Sequence, residues 1–345
     1  MIGAKLIKTR KICAIAFSLI AFHLLSSFPA TLDEIFFSDE FDARTFVSTK
    51  NISKLIHKAG GIINQRFHVV FGQQYPCGTG SDNGTKINVI FLIRTVQERF
   101  EQRRIIRTTW ANSSLFQSCG YTSKALFIVG TVKDDANKVQ TLRGKLRMEY
   151  SLYQDIVQFD FQEMYTNLDY EVVSALEFIA GSCPKTDFLV LQDDDYLVHP
   201  ANLLKTISQV TEHQYPTYVL GHVSRGNKPV RNKTDKWYIP KKTYPFGIYP
   251  LYPTGGTIIL SLPMARMLAF GMRNVKMRIF DDVLMGIVLK RLKVSVVDSP
   301  GIHSGERTKS DNLSMTVSSD GFKHTMLEGW KKIKDSAYCA HATLK

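Results

Sequence analysis

Negative charge is what this 345-residue chain is short of: 44 lysines and arginines stand against 31 aspartates and glutamates, a formal net charge of +13. The basic residues are scattered, and no nucleic-acid-binding motif accompanies them. Nucleic acid is therefore not an expected partner, and the charge votes weakly for a phosphate-bearing substrate, with general solubility as the plain alternative. Long apolar runs are scarce too. The stretch from Ile12 to about Phe28 is short for a membrane span, and Ser18, His23, Ser26 and Ser27 dilute it. There is no internal repeat and no low-complexity tract, which removes solenoids and biased linkers. Only five cysteines occur, and Cys13 lies in the apolar run. Cys77, Cys119, Cys183 and Cys339 remain, an even number that suits an oxidising compartment; three pairings are open, and a buried free thiol is the alternative for each.

What is present at the N-terminus reads as an address. Lys5, Lys8, Arg10 and Lys11 precede the apolar run, and Asp33 and Glu34 follow it. This is the positive-inside pattern of a signal anchor. Short spans suit the thinner membranes of the early secretory pathway. A cleaved signal peptide is the rival, but the residues before its candidate cleavage positions are bulky. The expected organisation is a cytoplasmic tail over 1–11, a transmembrane anchor over 12–30, a luminal stem over 31–85 and one catalytic domain over 86–345. Acceptor patterns for N-glycosylation at Asn51, Asn83, Asn112, Asn232 and Asn312 fit a luminal body.

From Lys86 onward, apolar runs of strand length alternate with segments of helical periodicity. Val89–Ile93, Leu126–Gly130, Asp155–Phe159, Phe188–Leu191, Ile258–Ser261 and Val294–Val297 read as strands. Gln97–Trp110, Leu168–Ala180 and Phe322–Ile333 read as helices, the last with Met326 and Trp330 packed on the domain. This alternation predicts an α/β fold with crossover connections, and ligands in such sheets bind beyond the carboxyl ends of the strands.

At one such end stand three consecutive carboxylates, Asp193-Asp194-Asp195. Like charges crowded at a strand end call for a counter-ion, and carboxylate oxygens suit Mn²⁺ or Mg²⁺ with open positions for substrate phosphates. A solvated acidic loop is the bland alternative. A second pair, Asp281-Asp282, precedes a helical pattern. One of the two, Asp281, is expected to cap the helix or hold the acceptor, and Asp282 to face the cleft as a general base. Tyr249, Tyr252 and the Gly255-Gly256 turn are candidates for the acceptor side, as are Trp237 and Tyr238 in a polar loop. Arg94 and Arg107 stand where they would meet a nucleotide, with a structural salt bridge equally in view for Arg107.

These blocks carry a family likeness. Arg103-Arg104-Ile105-Ile106-Arg107-Thr108-Thr109-Trp110 resembles an RR-x-x-IR-x-TW motif, and Phe161-x-Glu163-x-Tyr165-x-Asn167-Leu168 resembles F-x-D-x-Y-x-NL. Asp193–Asp195 matches a DxD motif, Tyr249–Gly256 with Leu260-Ser261 is similar to YP-x-Y-x-x-GGG-Y-x-x-S, and Asp281-Asp282-Val283-x-x-Gly286 is similar to [ED]DV-x-x-G. Together and in order they resemble the β-1,3-galactosyltransferase and β-1,3-N-acetylglucosaminyltransferase family, glycosyltransferase family 31. Leu191 and Glu171 stand where that family usually has lysine, and Thr257-Ile258 replaces a usual Gly-Tyr pair, which marks a divergent member.

The resemblance implies a GT-A fold, a Rossmann-like nucleotide-binding half with a mixed sheet joined to an acceptor half. It implies a type II protein of the Golgi or ER membrane that uses Mn²⁺ (or Mg²⁺) and a UDP-sugar. Transfer of galactose, with N-acetylglucosamine close behind, onto a protein- or lipid-borne glycan would proceed with inversion and give a β-1,3 product. In that scheme Asp193, Asp195 and a late histidine, His303, hold the metal; Asp193, Asp194, Arg94 and Arg107 contact the UDP-sugar; Asp282 and Asp281 serve catalysis. His324 is a weaker candidate than His303. Two rivals are a catalytically silent relative acting as a chaperone or glycan-binding protein, and an unrelated Mg²⁺-dependent phosphohydrolase. Donor, acceptor and oligomeric state stay open at this point.

Overall fold

A computed structural model describes residues 66–78, 87–304, 316–319 and 326–337. The expected tail, anchor and most of the stem, together with Cys339, His324 and the acceptor asparagines 51, 83 and 312, lie outside the described residues. Among the described residues no helix is long and apolar enough to cross a membrane.

The strands are β1 (Val69–Gly72), β2 (Val89–Arg94), β3 (Ser123–Thr131), β4 (Ile156–Gln162), β5 (Phe188–Asp193), β6 (Leu197–Val198), β7 (Val219–Ser224), β8 (Tyr252–Ser261), β9 (Val297–Asp298), β10 (Ile302–His303) and β11 (Ser318–Ser319). The helices are α1 (Phe100–Thr108), α2 (Ser113–Gln117), α3 (Ala136–Tyr153), α4 (Leu168–Ser182), α5 (Pro200–Ser208), α6 (Leu262–Arg273), α7 (Asp281–Leu292) and α8 (Met326–Ile333). Eight strands form one sheet in the order β1-β4-β3-β2-β5-β8-β7-β9. The centre, β4-β3-β2-β5, is parallel. Antiparallel β8 joins β5 to β7, and β1 adds an antiparallel edge. The sheet is thus mixed, as expected. The Val294–Val297 stretch reduces to the two-residue β9, because 294–296 pack against the core as irregular chain.

The apolar runs are strands because both faces of the sheet are covered. In β2, Ile90 and Leu92 join one core with α4, α6 and α7, whereas Val89, Phe91 and Ile93 join a second core with α1, α2, α5 and α8. Leu191 of β5 belongs to the first core and is 2% exposed. The substitution at 191 is therefore a core residue and does not line the cleft.

The Arg103–Trp110 block turns out to be structural. Arg103, fully buried, donates to both oxygens of Glu149 and to the carbonyls of Val96 and Gln97. Arg107 pairs with Glu149 and Asp155, each at 2.7 Å, and stacks on Phe127 and Tyr153. Trp110 packs against Phe91. The Cys77–Cys183 disulfide selects among the open pairings and spans 106 residues. A cross-link over a loop of that size contributes roughly 3–5 kcal/mol, mostly by restricting the unfolded chain.

Candidate active site

The chain runs outward from β2 to β3 and β4, then returns to place β5 on the other side of β2. At such a reversal the carboxyl ends of two strands open a crevice. The register sets Arg94, last in β2, beside Asp193, last in β5. A cleft of about 710 Å³ opens there, within the usual range for a small-molecule site.

Arg94 is the electrostatic centre. Its guanidinium binds Asp193 and Asp281, both at 2.5 Å. Burial works against its charge, and the carboxylates of Asp193, Asp281 and Glu171 overcome that cost and raise its proton affinity. Asp281 opens α7 but does not cap it: Phe280 holds the cap position without a side-chain bond, and the Asp281 carboxylate turns to Arg94 instead. Asp282 accepts from the Val283 backbone N–H at 2.7 Å and from the Gly255 N–H. Burial, then the neighbouring Asp281 charge, pushes its carboxyl up to about 7. That is where a general base works well near neutral pH.

The three aspartates of the triplet divide. Asp194 is spoken for: its oxygens bind the Thr95 hydroxyl at 2.5 Å and Arg99, and its carbonyl accepts from Gln102 at 2.6 Å. Its expected contact with a nucleotide gives way to fastening the β5 end to the loop after β2. Asp193 and Asp195 line the cleft. Burial, and then the charges of Asp195, Asp281 and Asp194 against the relief from Arg94, raises Asp193 above the usual carboxylate range. His303 sits in β10 opposite Ser319, and it is the next residue, Ser304, that reaches the cleft wall. Among the described residues no three His, Cys, Asp or Glu side chains converge as a ready-made metal cage. The expected Asp193–Asp195–His303 triad is therefore not assembled.

The donor set still fits a hard divalent cation held by few protein oxygens. Seven carboxyl groups line the cleft (Glu163, Glu171, Asp193, Asp194, Asp195, Asp281, Asp282) against three cations (Arg94, Arg99, Lys228). Added positive charge is favoured there, and Mg²⁺-type ions commonly take one or two carboxylates and fill the rest with water and phosphate oxygens. Arg107, expected at the nucleotide, points away into its own ion pairs.

The opposite wall is aromatic. Tyr165, held by a 3₁₀ turn over Tyr165–Asn167, meets Trp237 and Phe280 edge to face or tilted, at ring separations of 5.2–6.2 Å. Tyr165 and Trp237 are each 41% exposed, so their rings remain open to a ligand. Tyr249, Tyr252 and Gly255 line the same space, while Tyr238 does not. Gly256 has φ +96°, and a Cβ there would sit 2.3 Å from the Tyr196 ring, so only glycine fits. Glu163 and Glu171 are site residues that the sequence did not single out. Glu163 entered only as a motif letter and Glu171 only as a departure, and neither carries a local signal that it faces a cleft.

The sequence profile of the galactosyltransferase family matches residues 101–300. The lactosylceramide 1,3-N-acetyl-β-D-glucosaminyltransferase of Rattus norvegicus is 31% identical over 208 residues, 60% of this chain and 55% of that one. The human acetylgalactosaminyl-O-glycosyl-glycoprotein β-1,3-N-acetylglucosaminyltransferase is 28% identical over 225 residues, 65% of this chain and 56% of that one. The chain thus spans a little over half the length of these curated relatives. A solved glycosyltransferase involved in glycosylation of the major capsid of PBCV-1 covers 72% of this chain and 99% of its own at 11% identity, with a TM-score of 0.39. The profile match takes in the Asp193–Asp195 edge and the Asp281-Asp282 pair, and extends over more than half of the sequence. By that match the chain belongs to the β-1,3-galactosyltransferase and β-1,3-N-acetylglucosaminyltransferase family, glycosyltransferase family 31, as a divergent member.

Proposed function

We propose that this chain is an inverting glycosyltransferase of GT-A type that moves a hexose from a UDP-sugar to a glycan hydroxyl in β-1,3 linkage. The observation that carries the reading is one cleft lined both by Asp282, its carboxyl lifted to about 7, and by the Asp193–Asp195 edge of β5. The names of the relatives favour N-acetylglucosamine as the sugar over the galactose expected from the motifs. A lipid- or protein-borne glycan is the acceptor in this reading. The basic N-terminus and the apolar run after it support anchorage in the Golgi or ER membrane with the catalytic domain in the lumen.

Asp282 takes the proton of the acceptor hydroxyl as that oxygen bonds to the anomeric carbon, and the bond from that carbon to the UDP oxygen breaks with its electrons leaving on UDP. A single displacement inverts the centre. A double displacement would need a second carboxylate as nucleophile, and Asp281, the neighbour of Asp282, is committed to Arg94. Arg94 keeps Asp193 and Asp281 from repelling one another. Tyr165 and Trp237 offer ring faces to the C–H surface of a sugar. A divalent cation on Asp193 and Asp195 would supply the positive charge that the leaving diphosphate needs.

Asp195→Ala tests that assignment. UDP binding by the full chain should be stronger in Mn²⁺ than in chelator, and the variant should lose that difference while its melting temperature stays unchanged. Retention of the full Mn²⁺ effect would remove Asp195 from the cation site.

A further inference from the structure

Glu171 lies in the first turn of α4, lines the cleft and is only 4% exposed. No group among the described residues gives it a hydrogen bond or an ion pair, although Arg94 lies near enough to feel its charge. Its carboxyl oxygens are not among the buried polar atoms that lack a partner, so they open onto the cleft, where a bound group can meet them. The other carboxyls have employment: Asp193 and Asp281 on Arg94, Asp194 on Thr95 and Arg99, Glu163 on the Gly130 N–H.

We propose that Glu171 is a specificity residue that hydrogen-bonds a hydroxyl or amide of the donor hexose, so that this part of the cleft reads the sugar and not the diphosphate. The inference rests on the UDP-sugar reading of the site. Glu171 and its neighbour Glu163 bring no positive charge with which to hold a phosphate. Leu168 and Tyr165, from the same segment, add apolar and aromatic surface to the wall, as a pyranose face requires. Burial and then Glu163 push the Glu171 carboxyl well above its usual range. It therefore offers a hydrogen to donate as well as an oxygen to accept, the combination that matches a sugar hydroxyl.

The test is calorimetric titration of the full chain, in Mn²⁺, with UDP, UDP-N-acetylglucosamine and UDP-galactose. The unsubstituted protein should bind its preferred UDP-hexose more tightly than UDP. Glu171→Leu should erase about 5- to 10-fold of that advantage, the range of one or two neutral hydrogen bonds, and leave UDP affinity alone. Glu171→Gln, which keeps a donor and an acceptor, should restore most of it. Leu at 171 should also melt no lower than the parent, since an unpartnered buried carboxyl becomes apolar. If the parent binds no UDP, the functional reading fails and takes this inference with it. If UDP binds but Glu171→Leu keeps the sugar advantage, weakens UDP equally or unfolds, the inference alone is overturned.

Discussion

Asp282→Asn should lower the turnover number by about 10²- to 10⁴-fold, the usual contribution of a general base, while UDP binding holds. The parent's rate should fall as pH drops through about 7, where Asp282 gains its proton, and the variant should lack that limb. Stability should move the other way. An unfolded aspartate ionises near ~3.9, whereas folded Asp282 keeps its proton up to about 7. Its ionisation therefore costs the folded state stability as pH rises through that window. Asparagine never ionises, so at pH 8 the variant should unfold at a higher temperature than the parent. Full activity in the variant would reassign the base. A lower melting temperature would mean that its inactivity reports damage to the fold.

Arg103→Met should cost about 3–5 kcal/mol, the penalty for breaking a buried ion pair from one side. The guanidinium is fully buried and makes four hydrogen bonds of 2.7–2.9 Å. Two of them pin the carbonyls of Val96 and Gln97, in the loop whose Thr95 and Arg99 hold Asp194. The loss should therefore reach the cleft as weaker UDP binding. Glu149 keeps Arg107 as a partner, so the loss falls mainly on the bonds to the Val96 and Gln97 carbonyls, and Arg103→Met with Glu149→Met should recover little, because Arg107 would then keep only Asp155. Denaturant unfolding of the parent, the single and the double variants measures this. A single variant within about 1 kcal/mol of the parent would show that the pair is not a buried anchor, since ordinary surface substitutions fall in that range.

The strands were legible because their apolar runs face two cores, so nothing interrupts them. Asp193–Asp195 was legible as a site because three carboxylates at a buried strand end repel one another unless cations offset them. The Arg94–Asp281 bond was not legible, because 187 residues separate partners that only the packing of α7 against β8 brings together. Direction was the other hidden quantity. Arg107 and Asp194 carry the right chemistry for a nucleotide, yet both are satisfied inside the protein. The Asp281-Asp282 pair has the composition of a helix cap, and the chain uses Phe280 at that position because Asp281 is drawn to a buried cation. Glu171 shows the opposite case: an acidic residue in a helical pattern reads as a solvated face, and only its burial without a partner reveals another use.

The measurement closest to the central claim is UDP release by the full chain with UDP-N-acetylglucosamine, UDP-galactose and UDP-glucose. It is run in Mn²⁺ and in chelator, with a mixed pool of glycan acceptors. The account predicts release that depends on both metal and acceptor, with UDP-N-acetylglucosamine preferred. Silence with every donor, in folded protein that also fails to bind UDP in Mn²⁺, would contradict it.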